Sequence, residues 1–213
     1  MKFEDILRWF GDRPWFDFEM VLLASGEAAP CVHTQLYRWR QAEKLLELRR
    51  GIFVLAEPWR HGQLEGSTLA GPIYAPSYLT GRWALVCAGV FKAAETGAPT
   101  LYTSATARPA RVFENAFGVY RYDTLPRDLL FGTETVVIGD VSLRSASPEK
   151  ALLDLCFFGG GEWDRARFQD LGEAEGCRDW AGVDCGRLAE LAARMGRPRL
   201  IEAARAFAGM VAR

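Results

Sequence analysis

The segment Val136-Val137-Ile138-Gly139-Asp140-Val141-Ser142-Leu143-Arg144-Ser145-Ala146-Ser147-Pro148-Glu149-Lys150-Ala151-Leu152-Leu153-Asp154-Leu155-Cys156-Phe157-Phe158 decides the fold of this chain. Two short β-branched runs flank Gly139-Asp140, and a two-residue turn between such runs predicts a β-hairpin. Ser147 then stands before Pro148 as an N-cap stands before a proline in the first helical position. Glu149 falls in the first turn, where its charge suits the helix dipole. From Ala151 onward the helix is apolar almost all round, and Glu149, Lys150 and Asp154 form only a narrow polar edge. A helix that apolar is buried on most sides. A hairpin therefore feeds a central helix, and the neighbouring elements are expected to gather around it.

Working outward to the N-terminus, Phe3, Ile6, Leu7 and Phe10 fall at helical spacing, closed by Gly11. Asp17 caps a second run through Met20, Val21, Leu23 and Ala24, ending at Ser25-Gly26. A third helix is predicted from Pro30 to about Glu43, followed by a hairpin turning at Arg49-Arg50-Gly51. Three helices and a hairpin within the first sixty residues is the order of a winged helix-turn-helix, whose third helix enters the DNA major groove. At 100° per residue, Val32, Leu36 and Trp39 make the core stripe of that helix. Thr34, Tyr37, Arg38 and Gln41 lie opposite, with His33 and Arg40 on the flank. These are hydrogen-bonding and phosphate-contacting types, so the expected DNA-binding residues are Thr34, Tyr37, Arg38, Arg40, Gln41, Lys44, Arg49 and Arg50. The first sixty residues are near charge balance, which argues for modest affinity. A winged helix serving only protein contacts would show the same pattern.

Pro58 to Gly71 reads as a linker, its periodicity broken by glycine and polar residues. The expected organisation is residues 1–60 as a winged helix-turn-helix domain and 61–213 as an α+β domain with a small, mainly antiparallel sheet and a helical C-terminus. Within the latter, Thr80 looks like the cap of a helix ending at Gly89. Thr100–Ser104 and Gly118–Tyr122 read as strands, and Ala107–Arg111 as a basic loop. Arg108, Arg111 and Arg121 are candidates for a basic surface on this part, with an ordinary solvated loop as the plainer reading. Gly159-Gly160-Gly161 follows a helix and lacks a terminal Gly-Lys-Ser/Thr, so it reads as a helix end rather than a phosphate loop. Glu173 to Asp184 reads as a loose stretch. Arg187–Met195 and Arg199–Val211 are two helices split by Gly196-Arg197-Pro198.

Ala146-Ser147-Pro148-Glu149-Lys150-Ala151-Leu152-Leu153-Asp154-Leu155 resembles the signature of the AbiEi-like antitoxin family. Tyr78-Leu79-Thr80-Gly81-Arg82-Trp83-Ala84-Leu85-Val86-Cys87-Ala88-Gly89-Val90 is similar to that family's Tyr-Ile-Ser-Leu-x-Ser-Ala-Leu-x-x-x-Gly-Leu segment, departing at Thr80, Gly81 and Trp83. The resemblance implies a non-enzymatic regulator of a type IV toxin–antitoxin, phage-defence locus. Such a protein represses its own operon by binding double-stranded promoter DNA. It counters a nucleotidyltransferase-like toxin with which it need not form a stable complex.

Composition and chemistry narrow the alternatives. The 213 residues are 49% hydrophobic and 25% charged with net charge -1, so no overall basic bias marks a nucleic-acid partner. No apolar run reaches the ~18–20 residues of a membrane span, and Met1-Lys2-Phe3-Glu4-Asp5 lacks a signal-peptide layout. A cytoplasmic monomer or homodimer, without membrane partners, is expected. Cys31, Cys87, Cys156, Cys177 and Cys185 are scattered and odd in number; with only His33 and His61 beside them, neither disulfides nor a metal or other cofactor is expected. Ser147-x-x-Lys150 also matches the nucleophile motif of penicillin-binding proteins, but the companion Ser-Asp-Asn and Lys-Thr-Gly motifs are absent from the sequence, and capping accounts for the serine. Asp140, Glu149, Lys150 and Asp154 offer no readable nucleophile–base–orienter set, so no catalytic residues are assigned.

Overall fold

A computed structural model of the protein describes residues 1–93, 100–177 and 180–212. The described residues form an α+β structure. Its first part runs α1 (Phe3–Phe10), β1 (Phe16–Asp17), α2 (Phe18–Ser25), α3 (Ala29–Gln41), β2 (Leu45–Arg49) and β3 (Ile52–Leu55). Strands β1, β3 and β2 pair antiparallel with β3 in the middle. Asp17 caps α2, its carboxylate accepting from the Met20 amide at 2.8 Å. Glu43 adopts a left-handed backbone (φ 55°) where α3 gives way to β2. The core behind these elements holds Phe3, Ile6, Phe10, Phe16, Val21, Val32, Leu36, Leu45, Phe53 and Leu55.

The stretch read as a linker carries structure of its own. Gly66–Leu69 is a 3-10 turn that runs into the short helix α4 (Ala70–Ile73), and Leu69, Ala70 and Ile73 are buried. Then follow β4 (Ser77–Leu79), α5 (Gly81–Cys87), β5 (Leu101–Thr106), β6 (Arg111–Asn115), β7 (Gly118–Thr124), β8 (Thr133–Ile138) and β9 (Val141–Ala146). These strands make one sheet in the order β6-β7-β5-β4-β9-β8. A small, mainly antiparallel sheet is the expectation; the sheet is larger, with six strands, and mixed: β6·β7, β4·β5 and β8·β9 pair antiparallel, and β4 pairs parallel with β9 and β5 parallel with β7. The hairpin at Gly139-Asp140 forms as predicted, Ile138 lying opposite Val141.

Helix α6 (Pro148–Gly159) leaves this hairpin and enters a helical body completed by α7 (Arg165–Ala174), α8 (Cys185–Met195) and α9 (Pro198–Val211). Ala151, Leu152, Leu153 and Cys156 of α6 are at most 1% exposed and pack with Leu85, Phe168, Leu188, Leu200 and Phe207. The Gly159–Gly161 run ends the helix, with Gly160 at the C-cap. Arg167 donates to the carbonyls of Gly160 at 2.9 Å and Glu162 at 2.8 Å while stacking on Trp163. Of the stretch read as loose, positions 178 and 179 lie outside the described residues. Trp180 within it is firmly anchored: its ring meets Phe91, Phe168 and Phe207 edge-on at 5.6, 6.4 and 5.2 Å.

A third apolar cluster joins the two ends of this architecture. Leu48, Ile52 and Val54 of the β2–β3 hairpin pack with Leu69, Ile73, Tyr74, Leu79, Tyr102, Tyr120 and Tyr122. Strand alternation explains the arrangement, since successive residues face opposite sides. Phe53 and Leu55 point into the N-terminal core, and Ile52 and Val54 point into the joint cluster. Asn115 adds a hydrogen bond of 3.3 Å to the Leu48 carbonyl.

Candidate nucleic-acid interface

Helix α3 presents the face that its periodicity predicts. Val32 and Leu36 are buried and Trp39 is half-buried, whereas Thr34, Tyr37, Arg38 and Gln41 are exposed on the opposite side. Tyr37 is 57% exposed, a large ring turned toward solvent. The Thr34 hydroxyl donates back to the Pro30 carbonyl at 2.9 Å, leaving it an acceptor toward solvent. His33 stacks on Phe18 at 4.1 Å and stiffens the flank.

The other expected contacts are placed less uniformly. Arg40 forms an ion pair with Glu47 of β2 and lies 5.6 Å from the Tyr37 ring centroid. Glu47 also accepts from the Gly51 amide at 3.1 Å. Lys44 is drawn to the far side, its ammonium over the rings of Phe3 at 4.6 Å and Trp59 at 5.4 Å. Phe3 in turn packs on Trp39, which is opposite Tyr37 on the helix, so Lys44 does not join the α3 face. Arg49 was expected at the hairpin tip, free to hold a phosphate. Instead its Nε donates to the Ile73 carbonyl and fastens the hairpin to α4. The register of β2 shifts between Glu47 and Arg49, which sets Arg49 opposite Ile52 on the joint-cluster side, while Arg50 stays exposed beside Gly51, whose positive φ of 82° makes the turn. Between α3 and the hairpin lies a cleft of about 480 Å³, lined by Tyr37, Arg40, Glu47 and Arg50 together with Phe18, Leu36 and Phe53.

Arg108, Arg111 and Arg121 do not gather into one surface. Arg108 donates to the Ala75 carbonyl at 2.7 Å and stacks on Tyr74 at 4.3 Å. Arg121 pairs with Asp123 at 3.0 Å. Arg111, at the start of β6, registers with Tyr122 while Arg121 registers with Val112, so Arg111 and Arg121 face opposite sides of the sheet.

The narrow polar edge of α6 is itself buried beneath the sheet. Lys150 and Asp154 are both fully buried and form an ion pair one helical turn apart. Asp154 also accepts from the Tyr78 hydroxyl at 2.9 Å and the Thr80 hydroxyl at 2.8 Å, and the Lys150 ammonium reaches the Tyr78 oxygen at 2.8 Å. Burial pushes the Asp154 carboxyl up and the Lys150 ammonium down, each toward its neutral form, while their mutual attraction opposes both. Thr80 thus spends its hydroxyl on Asp154 and gives α5 no side-chain cap, contrary to expectation. Ser147 does cap α6, accepting from the Lys150 amide at 3.4 Å and donating to Glu149 at 2.8 Å. The Lys150 ammonium is directed at Asp154 and Tyr78 rather than at this serine, so the pairing that a serine nucleophile needs is not built. An i,i+4 Lys–Asp pair on an otherwise apolar helix was the signal available for this cluster.

No family model matches the chain, and no curated protein matches it. Among solved structures it is similar to the crystal structure of the RV2827C protein from Mycobacterium tuberculosis, at 17% sequence identity and a TM-score of 0.57, over 98% of this chain and 78% of that one. That likeness extends to the α+β fold.

Proposed function

We propose that this chain is a DNA-binding regulator, with α3 reading the major groove and the β2–β3 turn meeting the backbone. The carrying observation is the exposed row of Thr34, Tyr37, Arg38 and Gln41, set opposite the Val32–Leu36–Trp39 stripe and flanked across a cleft by Arg50. The order of α1, α2, α3 and hairpin supports a winged-helix reading of the N-terminal part. Arg38 carries the guanidinium fork that suits a guanine edge, and Arg50 supplies sequence-independent attraction. The antitoxin role, opposing a nucleotidyltransferase-like toxin from the same locus, rests on the resemblance around Ser147–Leu155 and Tyr78–Val90. No helix is long and apolar enough to cross a membrane among the described residues.

A protein-interaction module is the second reading. It draws on the exposed Tyr37 ring and on the neutralisation of Arg40 by Glu47. Fluorescence anisotropy across a salt series, with the chain's own promoter and a scrambled duplex, separates the two. Arg38→Ala should weaken promoter binding more than scrambled binding, by about 1–3 kcal/mol of discrimination. Arg50→Ala should weaken both alike and reduce the salt slope by about one ion. Absence of binding to either duplex at low salt would remove the regulator reading and favour the interaction module.

A further inference from the structure

Glu47 occupies an unusual place for an acid beside a face that meets phosphates. Its carboxylate bridges two elements, pairing with Arg40 of α3 through one oxygen and accepting the Gly51 amide of the hairpin turn through the other. A duplex touched at once by α3 and by Arg50 must run a phosphate strand past the cleft between them, and Arg40 and Glu47 both line that cleft. We infer that Glu47 is a resident competitor for Arg40, a built-in brake on sequence-independent DNA binding. This rests on the DNA-binding reading above and adds a determinant of affinity to the same site.

The physical basis is a competition between two anions for one cation. The Glu47 and Arg40 side chains retain 22% and 37% of their exposure. Such half-exposed pairs are weakly held, so a phosphate can take Arg40 only by displacing the carboxylate. The carboxylate left behind then stands a short distance from the same phosphate and repels it. Glu47 therefore removes about one cation from the count that sets counterion release. Its second bond, to the Gly51 amide, needs only an acceptor oxygen, which a glutamine amide also provides.

The test is Glu47→Gln, measured by anisotropy against the chain's own promoter and a scrambled duplex across a salt series, with Arg40→Gln in both backgrounds. The expected result is a several-fold rise in affinity for both duplexes at low salt. The slope of log affinity against log salt should steepen by about 0.9. Arg40→Gln should change little in the native background and abolish the gain in the Glu47→Gln background, a coupling that a double-mutant cycle reads directly. A purely structural role for Glu47 would instead lower affinity for both duplexes with the slope unchanged. That result, or a native protein that binds while Glu47→Gln leaves affinity and slope alone, overturns the inference and spares the reading beneath it. No binding by either protein at low salt overturns both.

Discussion

Asp154 is the residue around which the buried polar cluster of α6 gathers. Its carboxylate accepts from Tyr78, Thr80 and Lys150, and all four groups are shielded from water. Asp154→Asn would leave the Lys150 ammonium buried without its counter-charge, an arrangement that costs about 3–5 kcal/mol. Leu152→Ala, by comparison, should cost roughly 2–5 kcal/mol for a truncated buried leucine, and Ser147→Ala about 1 kcal/mol for a lost cap. Urea denaturation of the three variants orders them, and an Asp154→Asn protein as stable as the native one would show the pair to be dispensable. The polar edge of α6 was legible, but its burial was not. Whether Lys150 and Asp154 meet water depends on Tyr78 and Thr80, more than seventy positions away.

Strand β7 carries the tyrosines that tie the sheet to the segment after the N-terminal part. The Tyr120 hydroxyl donates to the Gly66 carbonyl at 2.9 Å, and the Tyr122 hydroxyl to the Ala70 carbonyl at 2.5 Å. Burial holds Tyr78, Tyr120 and Tyr122 far above the ordinary phenol range. The folded state therefore keeps their protons after the unfolded chain has lost them. Stability should be intact below roughly pH 10 and fall as pH rises beyond it. In a spectrophotometric titration these three rings should ionise only as the protein unfolds; smooth ionisation of all three in a folded protein would contradict this. At this scale the caps and hairpins were legible because Asp17, Ser147 and Gly139-Asp140 act on their own neighbours. The strands β1 and β4, two and three residues long, offer too few positions for a period to appear. Edge strand β6 shares only Arg111 with the stretch read as a basic loop, and its mostly exposed residues show no apolar alternation to mark the rest.

The molecule as a whole turns on the β2–β3 hairpin, which helps to form two clusters at once. Its one face closes the N-terminal core through Phe53 and Leu55, and its other face closes the joint cluster through Leu48, Ile52 and Val54. Cutting after residue 60 would uncover three aliphatic side chains that are now at most 5% exposed. Residues 1–60 alone should accordingly fail to give a cooperative thermal transition by circular dichroism and should aggregate on a sizing column. A soluble fragment with a sharp transition would contradict this. Periodicity identified Ile52 to Leu55 as apolar but could not divide them between two partners, since alternation shows that faces differ without showing what covers each. That division also bears on how the chain can diversify over generations. The outer row of α3 is exposed and takes no part in the buried clusters, so it is free to drift toward new targets, one substitution at a time. The hairpin beside it answers to two sets of neighbours, so any recombinant that exchanges the N-terminal part must bring a matching α4 and β7 with it.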